Sequence, residues 1–172
     1  MDVILHGGHR LITSLGSNPH SLASGVGILV HSIYVPSIIR MVPGNDRVMG
    51  LDIRLSDRIC MAVSVYLPHA GYVWADFVFC LEIVFAMVRE AQERGYSVIV
   101  AGDFNSNHLH HGPRGQALQE LSSQFQLSIV NGHGPTEGED NWTFKSSLGV
   151  VTRIDYILAI WAPGIGFGIC DV

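Results

Sequence analysis

The sequence predicts an α/β (α+β) fold in which two packed, mostly antiparallel β-sheets are flanked by helices, as in a four-layer sandwich. Aliphatic and β-branched residues dominate segments 26–34, 47–54 and 59–67, a composition typical of strands. Apolar residues recur at three- and four-residue spacing over 73–88, which predicts a helix. The apolar run 98–100 then predicts a buried strand. This order of elements favours packed sheets with helices outside.

The boundaries of these elements follow from turn and helix-stop residues. The strands before the helix are separated by Pro-Gly-Asn-Asp at 43–46 and by Ser56-Asp57. The helix over 73–88 has a basic last turn and a stop at Arg89, Arg94 and Gly95. A second helix is predicted over 115–126 through Leu118, Leu121 and Phe125, and a short strand over 127–130.

Length and composition indicate one domain, residues 1–172. A chain of 172 residues with 48% hydrophobic residues encloses a single sizeable core. The net charge is −5, with one lysine, Lys145, against nine arginines. There is therefore no general basic field for nucleic acid, and any such contact must be local.

The cysteines and the hydropathy pattern predict an intracellular protein, nuclear or cytoplasmic. Cys60, Cys80 and Cys170 are odd in number and lie among apolar residues, which favours free thiols in a reducing compartment. The most hydrophobic region is interrupted by Asp76 and Glu82, so no membrane span is expected. Polar and glycine residues interrupt the segment near the N-terminus, so no signal peptide is expected.

Polar chemistry is predicted at the end of the strand that begins near Val98. The chain continues Ala-Gly-Asp-Phe-Asn, so that Asp103 and Asn105 project to one side if the strand geometry persists, while Phe104 points into the core. A carboxylate beside an amide suits water activation and phosphate contact. The alternative is a turn that merely ends the strand.

A second carboxylate, Asp155, lies between Ile154 and Tyr156 in a hydrophobic segment. A carboxylate inside a buried strand is costly, so it should be paired or functional. Arg153 lies two positions away on the same strand face, which keeps a plain ion pair open as the alternative.

Together these segments resemble the endonuclease/exonuclease/phosphatase superfamily. The resemblance rests on residues 98–105, on Trp-Thr-Phe at 142–144 followed by Arg-Ile-Asp-Tyr-Ile-Leu at 153–158, and on Ser-Val-Tyr-Leu-Pro-His at 64–69. Two further segments, 24–30 and 68–72, are most similar to the endonuclease domains of non-LTR retrotransposons and of their host-encoded derivatives. In these elements the domain accompanies a reverse transcriptase. The resemblance covers about residues 10–158 and leaves the tail 159–172 unplaced.

The resemblance implies a role for each matching residue. Asp103 would orient or deprotonate the attacking water, and Asn105 would contact the scissile phosphate. Tyr66 would donate to a phosphate oxygen, and His69 stands where relatives carry a second polar residue that contacts phosphate. Asp155 would orient a catalytic histidine. The implied cofactor is Mg²⁺, or Mn²⁺, acting as a Lewis acid, and the implied partner is DNA.

The chain departs from the family pattern at both ends, so the domain is expected to be incomplete. The first glutamate is Glu82, in a helical pattern, and no histidine follows His133. The family's metal-binding glutamate and its final Ser-Asp-His are thus absent. The ligands of the metal are left unknown, with Asp103 and Asp155 the nearest candidates, and binding of the ion is expected to be weak.

Whether the chain is an enzyme stays open at this point. One hypothesis is a metal-dependent endonuclease or phosphodiesterase acting on DNA, weakened or inactive through these losses. Another is a catalytically dead fragment derived from a transposon, or a binding module. A third is a phosphatase acting on lipid or inositol phosphates within the same superfamily.

Two further clusters have simpler interpretations beside a functional one. His-Leu-His-His at 108–111 offers imidazoles that can bind a transition metal, but a histidine-bearing loop at this point is common among the retrotransposon relatives. Glu-Gly-Glu-Asp at 137–140 is interpreted as a solvated acidic turn, with a cation contact as the alternative.

Self-association through unpaired strand edges is a further expectation. Segments 26–34 and 59–67 are aliphatic and carry no Asp, Glu, Lys or Arg. Residues 1–20 and the glycine-rich tail contain scattered glycines, so regular pairing there is expected to be improbable.

Overall fold

The computed structural model of the protein describes residues 2–14, 25–109, 112–131 and 142–160. Its strands are β1 (Asp2–Ile4), β2 (Arg10–Thr13), β3 (Gly27–Val30), β4 (Ile38–Val42), β5 (Val48–Leu55), β6 (Arg58–Tyr66), β7 (Ser97–Asp103), β8 (Ser128–Ile129), β9 (Phe144–Lys145), β10 (Val151–Thr152) and β11 (Asp155–Ile160). The α-helices are α1 (Trp74–Glu93) and α2 (Pro113–Gln124), and short 3₁₀ helices span His6–Gly8 and Ser32–Ser37.

The larger sheet is mixed and mostly antiparallel. Within the described residues its six strands have the order β4-β5-β6-β7-β11-β8. Strands β6 and β7 pair in parallel, because α1 returns the chain to the same end of the sheet before β7 begins. Strand β11 runs antiparallel to β7, so the end of β7 lies beside the beginning of β11.

The first residues of the chain form regular strands, so the expectation that pairing is improbable over 1–20 is wrong for the part described. Strands β1, β2 and β3 form a small antiparallel sheet. Gly7 and Gly8, with φ of 79° and 78°, lie in the 3₁₀ turn between β1 and β2. These glycines serve the turn and leave the strands intact.

Two apolar cores lie on opposite faces of the larger sheet in the described part of the chain. Helices α1 and α2 cover one face, and their core includes Phe77, Val84, Val100, Phe104 and Leu121. The small sheet covers part of the other face, with a core of Ile12, Val26, Val30, Met49 and Leu51. The predicted α+β class with packed sheets is confirmed, and Phe104 points into the core as expected.

The helix boundaries differ from the predictions for local reasons. Helix α1 continues to Glu93, and Gly95, at φ 70°, ends it. There the amides of Gly95 and Tyr96 bond to the carbonyls of Gln92 and Ala91, both at 2.9 Å. Helix α2 begins earlier than predicted, at Pro113, because proline fits the first helical turn.

The strand at 59–67 is not an unpaired edge. Strand β6 is paired with β5 on one side and β7 on the other, which corrects this part of the expectation of exposed edges. The strand predicted over 26–34 ends at Val30, and a 3₁₀ helix containing Pro36 follows it. Strand β3 bonds to β2 along one side. The edges of the larger sheet are instead β4 and β8 within the described residues.

An ion network that includes one buried carboxylate ties the edge strand β4 to α1. Asp52 is 1% exposed, and its Oδ2 accepts from Arg40 Nε at 2.7 Å. Arg40 also donates to Glu90 at 2.6 Å, and Glu90 pairs with Arg94 at 2.8 Å. Asp52 Oδ1 has no hydrogen-bond partner. Asp52 therefore depends on Arg40 for its charge compensation.

The described cysteines are free and buried, as predicted: Cys60 and Cys80. Burial raises the pKa of the Cys60 thiol to about 11, and the nearby carboxylate of Asp52 adds to the rise. Such a thiol is protonated and unreactive at neutral pH. No helix in the described part of the chain is long and apolar enough for a membrane crossing.

We expect Arg40→Ala to lower the free energy of unfolding by about 2–3 kcal/mol, because it leaves the Asp52 carboxylate buried without a partner. Urea denaturation of the purified protein measures this. The control is Arg54→Ala on the exposed part of β5, which should change stability by about 0.5 kcal/mol or less. Equal losses in the two variants would contradict the dependence of Asp52 on Arg40.

We also expect the self-association predicted from the sequence to involve the edge strand β4, where Ile39 and Met41 are 44% and 50% exposed. Met41→Lys should shift light-scattering profiles toward monomer, because an edge lysine opposes pairing between chains. A monodisperse wild-type monomer would contradict self-association, and an unchanged profile for Met41→Lys would exclude this edge.

Candidate active site

Three of the predicted site residues lie side by side on neighbouring strands. Asp103 ends β7, and its register partner on β11 is Asp155. Its register partner on β6 is Tyr66. Residues in register on adjacent strands project from the same face of a sheet. These three side chains therefore share one face, at the same end of their strands. The structure thus brings together residues that are up to 89 positions apart (155 − 66).

The register depends on Gly102, which precedes the first carboxylate. Its φ is +142°, and a Cβ at this position would lie 2.0 Å from the carbonyl oxygen of Val65. No other residue type permits this approach of β7 to β6. The Leu67 amide then bonds to the Asp103 carbonyl at 2.8 Å, so the loop after β6 is tied to the end of β7.

The strand geometry does not persist to Asn105. The condition under which Asp103 and Asn105 would project to one side is therefore not met. Asn105 has φ +47°, and its amide donates to Asp103 Oδ1 at 2.7 Å. This is the turn that the sequence offered as the simpler alternative. The Asn105 side chain donates from Nδ2 to the Leu67 carbonyl at 2.7 Å. The turn and the amide therefore fix the Asp103 carboxylate next to the loop after β6.

The surroundings of Asp103 disfavour its charged form. Burial raises the pKa of this carboxyl above its ordinary value of 3.8. The Asn105 amide lowers the pKa, the Asp155 carboxylate raises it, and the His69 imidazole lowers it. Asp103 thus has the half-buried environment, with a like charge beside it, that suits a proton acceptor. His69 also lies close enough to act on it electrostatically.

The sequence had suggested that Asp155 lies inside a strand. In the structure it is instead the first residue of β11. It is half-buried, so its charge is less costly than at a fully buried position. Thr143 Oγ1 accepts from the Asp155 amide at 3.1 Å, and Asn131 Nδ2 donates to the Asp155 carbonyl at 3.1 Å. These two side chains fix the start of β11, and sequence reasoning had assigned neither of them a role.

His69 lies in the loop after β6, on the exposed side of the site. Its Nδ1 accepts from the Gly71 amide at 2.9 Å. Because Nδ1 accepts this bond, Nε2 is the ring nitrogen left to donate to an anion. Arg114 on α2 holds this loop, because its guanidinium donates to the carbonyls of Pro68 and Tyr72.

An arginine absent from the sequence-based set stands beside Tyr66. The Arg47 guanidinium carbon lies 5.0 Å from the centroid of the Tyr66 ring and 4.7 Å from that of Tyr72. The Tyr66 amide bonds to the Arg47 carbonyl at 2.8 Å. Arg47 lies in the turn before β5, where Asn45 Oδ1 accepts from the amides of Arg47 and Val48. This turn was the feature of the sequence that could have indicated Arg47.

The histidine-rich loop is described only at its start. The His108 amide donates to the Tyr156 hydroxyl at 3.1 Å, and burial followed by the charge of Arg153 lowers the pKa of the His108 imidazole. The remaining histidines of the motif, at 110 and 111, lie outside the described residues, as do the acidic cluster 137–140 and the tail from 161. No group of three or more His, Cys, Asp or Glu side chains in the described ranges is arranged to hold a metal ion.

Comparison with known proteins identifies the family. The profile of the Endonuclease/Exonuclease/phosphatase family matches residues 3–159. The chain belongs to this family. None of the curated proteins compared with it matches at a significant level.

Several solved structures share the fold. An endonuclease/exonuclease/phosphatase family protein from Leptotrichia buccalis is 15% identical, with a TM-score of 0.64, over 90% of this chain and 60% of its own length. The endonuclease domain of TRAS1, a telomere-specific non-LTR retrotransposon, is 18% identical, with a TM-score of 0.62, over 90% of this chain and 68% of that domain. The human Nocturnin catalytic domain with bound sulfate is 12% identical, with a TM-score of 0.59, over 88% and 60%. The chain therefore spans less than two thirds of the length of the bacterial and human structures.

We expect Asp103→Asn to raise the free energy of unfolding at pH 7. A carboxyl whose pKa is higher in the folded than in the unfolded state stabilises the fold when protonated, and this contribution is lost as pH rises through the folded-state pKa. Asparagine keeps the acceptor for the Asn105 amide without the charge. Urea denaturation at pH 7 and near pH 4 should show a gain that shrinks at the lower pH.

The control for this prediction is Asp57→Asn in the exposed turn between β5 and β6, where the side chain is 85% exposed. This variant removes the same charge without relieving burial. A gain of equal size in both variants, or a gain that does not change with pH, would contradict the unfavourable burial and like charge assigned to Asp103.

Proposed function

We propose that the chain acts as a divalent-metal-dependent phosphodiesterase of the endonuclease type, with DNA as its substrate. The observation that carries the proposal is the alignment of Tyr66, Asp103 and Asp155 across three neighbouring strands. The TRAS1 domain, which has the same fold, is named as an endonuclease. Nocturnin, whose catalytic domain holds a sulfate, supports binding of a tetrahedral anion at such a fold.

Asp103 is the group that accepts a proton from the attacking water. Its raised pKa brings the carboxylate closer to the basicity that general-base catalysis needs at neutral pH. The Asn105 amide on Oδ1 holds one oxygen, which leaves Oδ2 for the water. Asp155 supports this role by keeping a negative charge beside Asp103, which favours proton uptake.

The phosphate contacts come from donors near the same ends of β6 and β7. The Tyr66 hydroxyl and the His69 Nε2–H are donors that suit the non-bridging oxygens of a phosphodiester. Asn105 gives one hydrogen of its side-chain amide to Leu67 and retains the other for the substrate.

The donor set present fits a hydrated magnesium ion and does not form a closed protein cage. Asp103 and Asp155 are two carboxylates with mutual repulsion, and Mg²⁺ is commonly held by one or two carboxylates, waters and substrate phosphate. When bound, the ion supplies Lewis-acid polarisation and charge neutralisation at the phosphate. Manganese has the same preference for oxygen ligands.

The alternatives from the sequence define the other outcomes of the tests. A catalytically dead derivative or binding module would bind nucleic acid with no Asp103-dependent cleavage. A phosphatase acting on lipid or inositol phosphates would release inorganic phosphate from those substrates and leave DNA intact. Loops outside the strands choose between these substrates in such folds.

We expect slow magnesium-dependent nicking of supercoiled plasmid that is lost in Asp103→Ala. The rate should be about 10²–10⁴-fold below that of a complete family endonuclease assayed beside it, because no family glutamate or final histidine is present in this sequence. Chelation with EDTA should abolish the activity. The charge-matched control Asp57→Ala should nick at the wild-type rate.

Nicking that survives Asp103→Ala would point to a contaminating nuclease or to different catalytic residues, and would contradict the proposal. No nicking by the wild type, with phosphate released from inositol phosphates in an Asp103-dependent manner, would favour the phosphatase. Wild-type rates equal to those of the complete relative would show that other residues replace the missing groups.

A further inference from the structure

Four side chains form a continuous stack that leads away from Asp103: Tyr66, Arg47, Tyr72 and His69. The Arg47 guanidinium lies between the two tyrosine rings, at 5.0 Å and 4.7 Å from their centroids. The rings of Tyr72 and His69 meet edge to face at 4.7 Å. The stack, termed here the Arg47 ladder, begins at Tyr66, in register with Asp103.

The guanidinium in this ladder is available to an anion. In the described residues no carboxylate lies within ion-pair distance of Arg47, whereas Arg10 and Arg94 are each paired with one and Arg40 with two. One hydrogen bond holds it, a long contact of 3.4 Å from Nη1 to the Tyr66 carbonyl. Arginine has five N–H donors, so most of them point to solvent or to a ligand.

The ladder is pre-organised by contacts at both ends. Asn45 Oδ1 accepts from the Arg47 and Val48 amides at 2.8 Å and 2.9 Å, which fixes the backbone that carries Arg47. At the other end, the Tyr72 amide bonds to the His69 carbonyl at 3.0 Å, and Arg114 donates to the Tyr72 carbonyl at 3.3 Å. A rigid surface of this kind binds with a small loss of conformational entropy.

The chemistry of the ladder matches a nucleic-acid strand. Aromatic faces stack on bases, and an arginine between them pairs with a phosphate, the combination used on single strands. Tyr72 is 40% exposed, so part of its ring is accessible to such a base.

We propose that Arg47 and Tyr72 bind the DNA strand next to the phosphate that is attacked at Asp103, with Arg47 on a neighbouring phosphate and Tyr72 against a base. The inference rests on the proposed function for the position of the cleaved phosphate. It adds two residues that position the strand and do not touch the reacting atoms. It also explains how a chain without a basic field holds its substrate locally.

The test is binding of a short fluorescent single-stranded oligonucleotide in EDTA, followed by anisotropy over a range of salt concentrations. Arg47→Ala should weaken binding about tenfold and reduce the salt slope by about 0.7, the value for one phosphate contact on a single strand. Arg47→Lys should retain most of the slope. The matched control is Arg89→Ala, an exposed arginine on α1, which should change neither quantity.

Tyr72→Leu should weaken binding about fivefold or more, and Tyr72→Phe should bind as the wild type, because stacking needs the ring and not the hydroxyl. Circular dichroism spectra must match the wild type for each variant. A purely structural role would leave the salt slope of folded Arg47→Lys and Arg47→Ala equal to that of the wild type, and this result would overturn the inference.

The two proposals fail in different ways. Binding that depends on Arg47, without nicking that depends on Asp103, would refute the phosphodiesterase and keep the ladder. Nicking that depends on Asp103, with wild-type binding by Arg47→Ala, would refute the ladder alone. A folded wild type that binds no oligonucleotide would refute the ladder and remove the support for DNA as the substrate.

Discussion

The close approach of β7 to β6 at Gly102 is the constraint on which the candidate site depends. A side chain there would collide with the Val65 carbonyl, so glycine alone lets the two parallel strands stay in register to their ends. That register sets Tyr66 beside Asp103, and the antiparallel partner β11 then sets Asp155 on the other side. The absence of a side chain at Gly102 thus sets how closely Tyr66, Asp103 and Asp155 lie together.

The sequence predicted the elements that depend on local chemistry. The stripe of α1, its stop at Gly95, the turn Ser56-Asp57 and the buried strand before Asp103 are all found, because periodicity and turn residues act within a few positions. The small N-terminal sheet was missed because β1 and β2 are short, and their flanking glycines were interpreted as interruptions. Their pairing depends on a partner strand distant in the sequence.

The site itself was predicted through motifs, and its supporting residues were not. Arg47, Asn131 and Arg114 act through backbone carbonyls, amides and ring faces of residues up to 46 positions away. Such contacts leave no spacing pattern in the sequence, because a single arginine or asparagine in a turn is common for many reasons. The fold alone shows which of these residues contact the strands and the loop that carry the site.

The buried carboxylate of Asp52 has a consequence for the fidelity of strand pairing. On β5 it lies opposite Met61 and beside Arg40 on β4, on the face covered by α1. A slip of one residue would turn Asp52 to the face where Met49 and Leu51 pack, without its arginine. The apolar residues of β5 tolerate either face, since both are cores, so hydrophobic pattern alone leaves this strand ambiguous. One charge, buried at a cost in stability, makes the slipped pairing of the sheet far less stable than the correct one.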